Sequence, residues 1–443
     1  MAGSHRAQRG GGRAAAREAR RQKARKRNQT IAAGVAVVVL VGGGGIAALN
    51  AFGGDDSSGD AKKGSGDDRS SDSKVLADDT GLLDVAGAKT LGSTGTWTVS
   101  DTSDGSGAGD HDYVCQSQRF ADPSGLRTWV RKFANASTKD SAVQYVEVSN
   151  DAAAAEKAYG TIVGWFSQCA AEKRTRLNNS YLLSGMGEKG WIAVFGQATG
   201  PKTRYRTVSV TLAGQATLVV EHDTNGTSPP KPDAVLNATA AALQKICPQT
   251  GGCGSGTPAA KASLLPTSEP AGFMAPAELP IIAAVDKPWV STPGKVGNTT
   301  QCERTDPKKA KAAKYATQTY LAPGAKVPTE FGLDDTVARF ASPNAAAAYV
   351  NLVRKNVDGC QKAVSTAKVH SAGNLSTGGV KGEAWEASFD TGNGKKAKFR
   401  IGVAAAGNHA VYLLFPVLTD LDITDSAFLD TLRRAAERSV SYK

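Results

Sequence analysis

The sequence predicts an α+β fold: two tandem copies of an antiparallel-sheet-plus-helices domain, stapled by disulfides, behind one N-terminal transmembrane helix. Three observations predict it, namely an internal repeat, strand-like runs alternating with helical periodicity, and one long uncharged segment near the N-terminus. At 443 residues the chain has room for two to three domains of about 100–200 residues. Its 40% hydrophobic content excludes wholesale disorder.

The N-terminal region has the layout of a membrane anchor. Residues 1–30 carry ten Lys/Arg and one acid, and residues 31–52 carry no charge. About 20 helical residues cross the hydrocarbon core of a bilayer, and the Lys/Arg-rich flank stays in the cytoplasm. The Gly/Ser/Asp-rich stretch 53–80 is typical of a disordered linker. We therefore expect a basic cytoplasmic tail, a single-pass cell-membrane helix and extracytoplasmic C-terminal domains.

Two alternatives concern this same segment. Leu49-Asn50-Ala51 would serve as the cleavage site of a secretory signal peptide, although the apolar run exceeds the usual signal length. Gly43, Ala47 and Ala51 have the small-xxx-small spacing of helix dimers, which chance also produces in so Gly- and Ala-rich a segment. A homodimer is thus possible but not supported. The net charge of +12 comes mainly from the tail, so no nucleic-acid partner is indicated.

A repeated helix is the strongest evidence for duplication. The segment 150–169 recurs in outline at 342–360, with Ser342-Pro343 suited to a helix start and Asn150 or Asp151 as the cap of the first copy. Apolar positions step i, i+4, i+7, i+11 along one helical face in each copy and end at a cysteine. These positions are Ala155, Tyr159, Ile162, Phe166 and Cys169, and Ala346, Val350, Val353, Val357 and Cys360.

Each copy continues with a three-strand antiparallel meander and a terminal helix. The last hairpins are 206–212 with 216–221 and 398–404 with 410–415, and the terminal helices are 233–246 and 425–439. The predicted domains are copy one at 81–247, a Gly/Pro-rich joint at 248–263 and copy two at 264–443.

Six cysteines lie in the region predicted to be outside the cell, where disulfides persist. Six allow fifteen pairings, but the repeat narrows the choice. Cys115 and Cys169 stand to each other as Cys302 and Cys360 do, which leaves one further pair in the joint. The predicted bridges are Cys115–Cys169, Cys302–Cys360 and Cys247–Cys253.

Four repeated residues are the candidates for a ligand cleft. Trp191 and Trp385 begin strands, where a tryptophan usually packs in the core but can also form a ligand platform. Arg206 and Arg400 open the next strand in each copy. Most such arginines are surface charges, yet a matched pair near the same end of two sheets is the first place to look for contact with an anion.

The sequence shows no catalytic signature. Five histidines occur, none at matched positions in the two copies, and no nucleophile elbow, zinc-protease, phosphate-loop or kinase motif is present. The cysteines lack the clustering of a zinc site. We therefore expect no enzyme, no cofactor and no metal.

The order of landmarks resembles a known family. A leading Leu-Leu pair (82–83 and 264–265), a Trp, a Cys, an Ala-rich helix ending in Cys and a β-meander are similar to the PknH-like extracellular sensor domain. The resemblance implies a disulfide-stapled α+β fold with a cleft for an unknown ligand, outside the membrane of actinobacterial receptor serine/threonine kinases and related anchored proteins. Here the cytoplasmic part is about 30 residues, so no kinase is attached.

Three functions remain open at this point. The first is a membrane-anchored extracytoplasmic sensor that binds a small-molecule or protein ligand at the cell envelope. The second is a structural or envelope-assembly protein that docks other proteins, and the third is an unrecognised hydrolase of envelope polymers. A cleft with convergent polar groups favours the first, a flat exposed patch the second, and a cleft with a paired acid and base the third.

Overall fold

Two antiparallel sheets and the helices packed on them form the folded part of the chain. A computed structural model describes residues 75–76, 78–92, 94–105, 111–169, 175–198, 202–285, 287–295, 297, 299–324, 326–392 and 395–443. The predicted tail and transmembrane helix, and most of the linker, lie outside these residues. Within them, no helix is both long enough and apolar enough to cross a membrane.

The first sheet has eight strands among the described residues. They are β1 (Trp97–Ser103), β2 (Arg127–Asn135), β3 (Ser141–Val148), β4 (Thr175–Ser184), β5 (Lys189–Ala198), β6 (Thr203–Ala213), β7 (Ala216–Gly226) and β8 (Ala259–Ala262). Their hydrogen-bonded order is β1-β2-β3-β7-β6-β5-β4-β8. Every neighbouring pair is antiparallel.

The second sheet repeats this arrangement. Its strands are β9 (Val290–Pro293), β10 (Lys314–Leu321), β11 (Gly332–Arg339), β12 (Ala367–Thr377), β13 (Val380–Gly392), β14 (Lys395–Ala406) and β15 (His409–Val417). The order β9-β10-β11-β15-β14-β13-β12 matches that of β1 to β7 strand for strand. Both sheets are antiparallel throughout, so the α+β class and the tandem two-sheet arrangement are confirmed.

The two long helices of each copy occupy equivalent places, whereas the two four-residue helices are each found in one copy among the described residues. The helices are α1 (Val85–Ala88), α2 (Ala152–Gln168), α3 (Asp233–Thr250), α4 (Pro343–Asp358), α5 (Cys360–Ala363) and α6 (Asp425–Ser439), with single 3-10 turns at Asp79–Gly81, Lys89–Leu91 and Pro276–Glu278. The predicted caps form: the Asp151 carboxylate accepts from the N–H of Ala154 at 2.7 Å, and the Ser342 hydroxyl from that of Ala345 at 3.2 Å.

Each sheet is the middle layer between two helices. In the first copy α2 covers one face and α3 the other, and in the second copy α4 and α6 do the same. The predicted apolar stripes face the sheets, since Ile162 and Phe166 on α2 and Val353 and Val357 on α4 are fully buried. Apolar burial on both sheet faces is therefore what holds each copy together.

Two of the three predicted disulfides are present. Cys115 bonds to Cys169 with 4.6 Å between their Cα atoms, and Cys302 bonds to Cys360 with 5.0 Å. Both link the segment before the second strand to the C-terminal end of the buried helix. In the chain-entropy model, a bridge that closes a loop of this length contributes about 4 kcal/mol.

The predicted joint also carries a strand. β8 lies within 248–263 and pairs with β4, so this segment extends the first sheet. Beyond it, Leu265 is buried in the core under α2. Arg176 on β4 lies 3.3 Å from Asp430 on α6, and Arg434 donates to the carbonyl of Asn178 at 3.1 Å. The two copies therefore contact each other directly.

Candidate ligand-binding site

The two tryptophans that the sequence matched are core residues, but they do not occupy equivalent positions. Trp191 pairs with Val210, three residues before the last paired residue of β6, whereas Trp385 pairs with Ile401, five residues before that of β14. Trp191 and Trp385 are both 0% exposed. Trp191 meets the Phe166 ring edge-on, with 4.9 Å between the ring centroids, and the Trp385 indole donates to the Asp358 carboxylate at 3.0 Å. Neither ring presents a face to solvent, so neither is a ligand platform in this structure.

The two repeated arginines lie on opposite faces of their sheets. The last paired residue before the hairpin turn is Ala213 in β6 and Ala406 in β14. Counted back from that turn, Arg206 corresponds to Phe399, and Arg400 falls one position further along. Because successive side chains of a strand point to opposite faces, a shift of one residue moves the side chain to the other face. The expectation of a matched pair is therefore wrong.

Arg400 is a structural residue. Its side chain is 5% exposed and meets Asp422 at 2.7 Å and 3.0 Å, and it also bonds to Asp425 at the start of α6. These carboxylates hold the guanidinium against the terminal helix. Arg400 thus ties β14 to α6 and is not available to a ligand.

Arg206 lines a cavity of about 490 Å³ at one end of the first sheet, on the face that α2 covers further along. We call this cavity the charged pocket. Its walls carry three basic side chains, three acids and one histidine: Lys132, Arg204, Arg206, Asp112, Glu221, Asp223 and His111. A concave site with convergent charged groups is the arrangement expected of a ligand site.

The sheet register places these residues together. Asp223 on β7 pairs with Arg206 on β6 and with Ser141 on β3. In the next row Glu221 pairs with Val143, and Val143 with Lys132 on β2. Side chains at every second position share one face, so the charges line up across four adjacent strands.

A segment next to the first disulfide lines one side of the pocket. Its residues 111–114 directly precede Cys115, whose bond to Cys169 anchors them to the end of α2. The Glu221 carboxylate accepts from the N–H of Val114 at 2.6 Å. Lys132 lies 2.9 Å from Asp112 in the same segment. The bridge therefore has a second consequence beyond stability, because it fixes one wall of the pocket.

The acids inside the pocket sit against the arginines. Arg204 donates to the Asp223 carboxylate from Nε at 2.7 Å, and the Nε of Arg206 lies 3.6 Å from that carboxylate and 3.9 Å from Glu221. Burial raises the pKa of Glu221 to about 7, opposed by the Val114 N–H and Arg206 and supported by Asp223. Glu221 therefore changes its charge near neutral pH.

The second copy builds the same strand positions without this charge. By sheet register, Thr319 stands in place of Lys132, Phe399 of Arg206, Leu414 of Glu221 and Pro416 of Asp223. One acid, Asp334, takes the place of Val143, and it accepts from the Thr319 hydroxyl at 2.5 Å. The fold is thus compatible with mostly apolar residues here, and the charges of the first copy are not a requirement of the architecture.

Sequence reasoning found only Arg206 among the pocket residues. A usable signal was present: Arg204-x-Arg206 and Glu221-x-Asp223 lie on either side of the Gly214 turn, at period two in otherwise apolar strands. Arg206 and Asp223 lie at matched distances from this turn and pair directly, and residues at every second position share their face. No local pattern in the sequence singles out Lys132 or Asp112, since only the tertiary fold brings these two residues close to the charged residues of β6 and β7.

The third predicted disulfide is absent. Cys247, buried in the last turn of α3, and exposed Cys253 are both thiols, and their side chains are in contact. Gly252, next to Cys253, has a left-handed backbone conformation and packs closely on the β6–β7 turn. A Cβ atom on residue 252 would lie 2.1 Å from the Gly214 nitrogen. Burial, with Cys253 adding to it, raises the pKa of Cys247 to about 12. The thiolate needed for disulfide formation is therefore disfavoured at that position.

Comparison with known proteins yields little. No protein-family model and no curated protein matches the chain. Among solved structures, the chain is compared with acyl-CoA thioesterase II TesB2 from Mycobacterium marinum at a TM-score of 0.11 and 10% identity, over 62% of this chain and 93% of that one. A likeness at this level carries no argument about function. Among the described residues, no group of three or more His, Cys, Asp and Glu is placed to hold a metal ion.

Proposed function

We propose that this protein is a single-pass, membrane-anchored binding protein whose two domains face the outside of the cell, and that the charged pocket of the first copy holds its ligand. The resemblance to the PknH-like extracellular sensor domain supports a sensor role for the protein. The proposal names one site in one copy, where the sequence had suggested matched sites in both.

The contrast between the two copies is the observation that carries this function. Burying charges costs free energy unless they are paired, and the second copy shows that this end of the sheet also forms with few charged side chains. The second copy reaches the same strand order with Thr319, Phe399, Leu414 and Pro416 at four of these positions. Because both copies share one strand order, charged residues found in only one copy are not required by the fold.

The membrane placement rests on the sequence. The basic stretch 1–30 and the uncharged stretch 31–52 predict a helix with a cytoplasmic N-terminus. Two disulfides are in keeping with an oxidising compartment. The linker 53–80 would then give the folded part reach from the bilayer.

Ligand capture tests the pocket directly. Ser141 is an exposed residue on the pocket floor, and Ser141→Trp fills the space without removing an ion pair. Ser376→Trp, on the exposed strand β12 of the second sheet, is the matched control. Full-length protein purified from its native membrane is analysed by native mass spectrometry for copurifying molecules.

We expect wild type and Ser376→Trp to carry the same bound molecule and Ser141→Trp to lose it. A molecule retained by Ser141→Trp would contradict the pocket assignment. If no variant carries any small molecule, and Ser141→Trp leaves crosslinks to other envelope proteins unchanged, a docking role becomes the better account.

Labelling of single cysteines tests the topology. A cysteine at Ser57 should react with an impermeant reagent added to intact cells, whereas one at Ser4 should react only after lysis. Labelling at Ser4 alone would invert the orientation. A mature chain that begins near Phe52 would replace the anchor by a cleaved signal peptide.

A further inference from the structure

The charged pocket has a layout that selects among ligands by charge. Reading across the sheet, Lys132 on β2 forms one wall, Ser141 and Val143 on β3 form the floor, and Glu221 and Asp223 on β7 form the opposite wall. A cation and a pair of acids therefore face each other across small side chains. Each wall also has a counter-charge behind it.

Those counter-charges exclude simple ions as good ligands. Asp112 lies behind Lys132 at 2.9 Å, and Arg204 lies behind Asp223 at 2.7 Å. With three cations and three acids, the pocket has little net charge above neutral pH, and it gains one positive charge below neutral pH as Glu221 takes up a proton. A bare anion attracted by Lys132 would meet the carboxylates opposite, and a bare cation attracted by the carboxylates would meet Lys132. Like-charge contacts of this kind oppose binding.

We propose that the charged pocket binds a small zwitterion, an amino acid or dipeptide, with its ammonium group at Asp223 and its carboxylate at Lys132. This inference rests on the proposed function and narrows it to a ligand class. Each end of such a molecule gains a charge-assisted hydrogen bond, in competition with Arg204 at Asp223 and with Asp112 at Lys132. A bare ion gains only one of these two bonds.

The dimensions of the pocket agree with that class. Lys132 and Asp223 lie two strands apart, about 10 Å, and two residues apart along the strands, about 7 Å, so their backbones are roughly 12 Å apart on the diagonal. Subtracting two hydrogen bonds of about 2.8 Å leaves roughly 6 Å between the charged groups of the ligand. This favours a dipeptide over a single amino acid, since one extended residue spans about 3.3–3.6 Å. The cavity has a volume of about 490 Å³.

Calorimetric titration of the full-length protein in detergent separates the two ends of the ligand. The probes are alanyl-alanine, its N-acetylated form and its C-terminal amide. We expect alanyl-alanine to bind and each modified probe to lose roughly tenfold or more in affinity, about 1.4 kcal/mol per tenfold. Equal binding of all three probes would overturn the proposal.

A charge-removing variant makes the test specific. Lys132→Gln should weaken alanyl-alanine by roughly tenfold, about 1.4 kcal/mol, yet change the affinity of the C-terminal amide little. Lys132 is 38% exposed, so the variant is expected to keep the melting temperature of wild type. Lys368→Gln, on exposed strand β12, is the matched control and should change neither affinity.

The two proposals fail in different ways. If no alanyl-alanine binding is detected while Ser141→Trp still loses a copurifying molecule, the zwitterion inference is wrong and the pocket remains the ligand site. If Ser141→Trp retains that molecule and also binds alanyl-alanine as wild type does, both proposals are wrong.

Discussion

Replacing Asp335 with asparagine should remove a pH-dependent cost to folding. Asp335 lies on β11 between Leu333 and Val337, on the face that α6 covers, and it is 0% exposed. Neither of its carboxylate oxygens has a hydrogen-bond partner among the described residues. Burial, with Asp334 adding to it, raises the pKa of Asp335 well above its usual value. The folded protein therefore holds this carboxyl in its neutral form.

The equivalent position of the first copy makes one hydrogen bond, through an amide oxygen, while its amide nitrogen has no partner among the described residues. The equivalent residue by register is Gln144, whose side-chain oxygen accepts from the N–H of Leu83 at 2.6 Å. In the second copy, Tyr320 on the neighbouring strand donates to the Met274 carbonyl at 2.8 Å and not to Asp335. Gln318, directly opposite Asp335 on β10, donates to the Glu269 carboxylate at 3.2 Å and not to Asp335.

The magnitude follows from proton linkage. The unfolded chain releases the Asp335 proton with a pKa near 3.9, whereas the folded chain retains it to higher pH. Because the folded pKa is the higher one, the stabilising contribution is full below about pH 4 and is lost as pH rises. The loss is about 1.4 kcal/mol for each pH unit between about 3.9 and the folded pKa.

Urea denaturation at pH 5 and pH 6 measures this effect. Between pH 5 and pH 6, wild type should lose about 1.4 kcal/mol of unfolding free energy relative to Asp335→Asn, because the amide has no proton to lose. Asp334→Asn is the control, since Asp334 lies on the opposite face and already has a hydrogen bond from Thr319. An Asp335→Asn protein with the same pH dependence as wild type would refute the reasoning.

Three further outcomes follow from the packing. Alkylation of the unreduced, denatured chain should modify two cysteines, Cys247 and Cys253, and a chain with no reactive thiol would show that the third bridge forms. Val353→Asp places a charge on the fully buried stripe of α4 and should lower the free energy of unfolding by about 3–5 kcal/mol, whereas exposed Leu352→Asp should change it by about 0.5 kcal/mol or less in a urea titration. Arg438→Met leaves the fully buried carboxylate of Glu278 without its ion-pair partner and should lower the free energy of unfolding by about 3–5 kcal/mol. An unchanged urea midpoint would contradict this.

Local pattern accounts for the parts of the fold that the sequence predicted well. The apolar stripe that ends at Cys169 and the one that ends at Cys360 are visible because a helix repeats its faces every 3.6 residues. The cap at Ser342 depends only on the residues next to it. The two long disulfides followed from the equivalent positions of their cysteines in the repeat. The membrane helix at 31–52 stays a prediction from charge and length.

The α+β class, the duplication, the faces of α2 and α4 and two of the bridges were therefore predictable from local pattern and repeat. That Arg206 faces a pocket while Arg400 faces a helix was not predictable, because a strand changes face at every residue and the sequence alignment of the two copies was off by one there. Only the tertiary structure decided that Lys132 and Asp112 meet the acids of β7. Those residues are far apart in the chain, and their contacts depend on strand order and on the anchored segment before Cys115, which no local periodicity encodes.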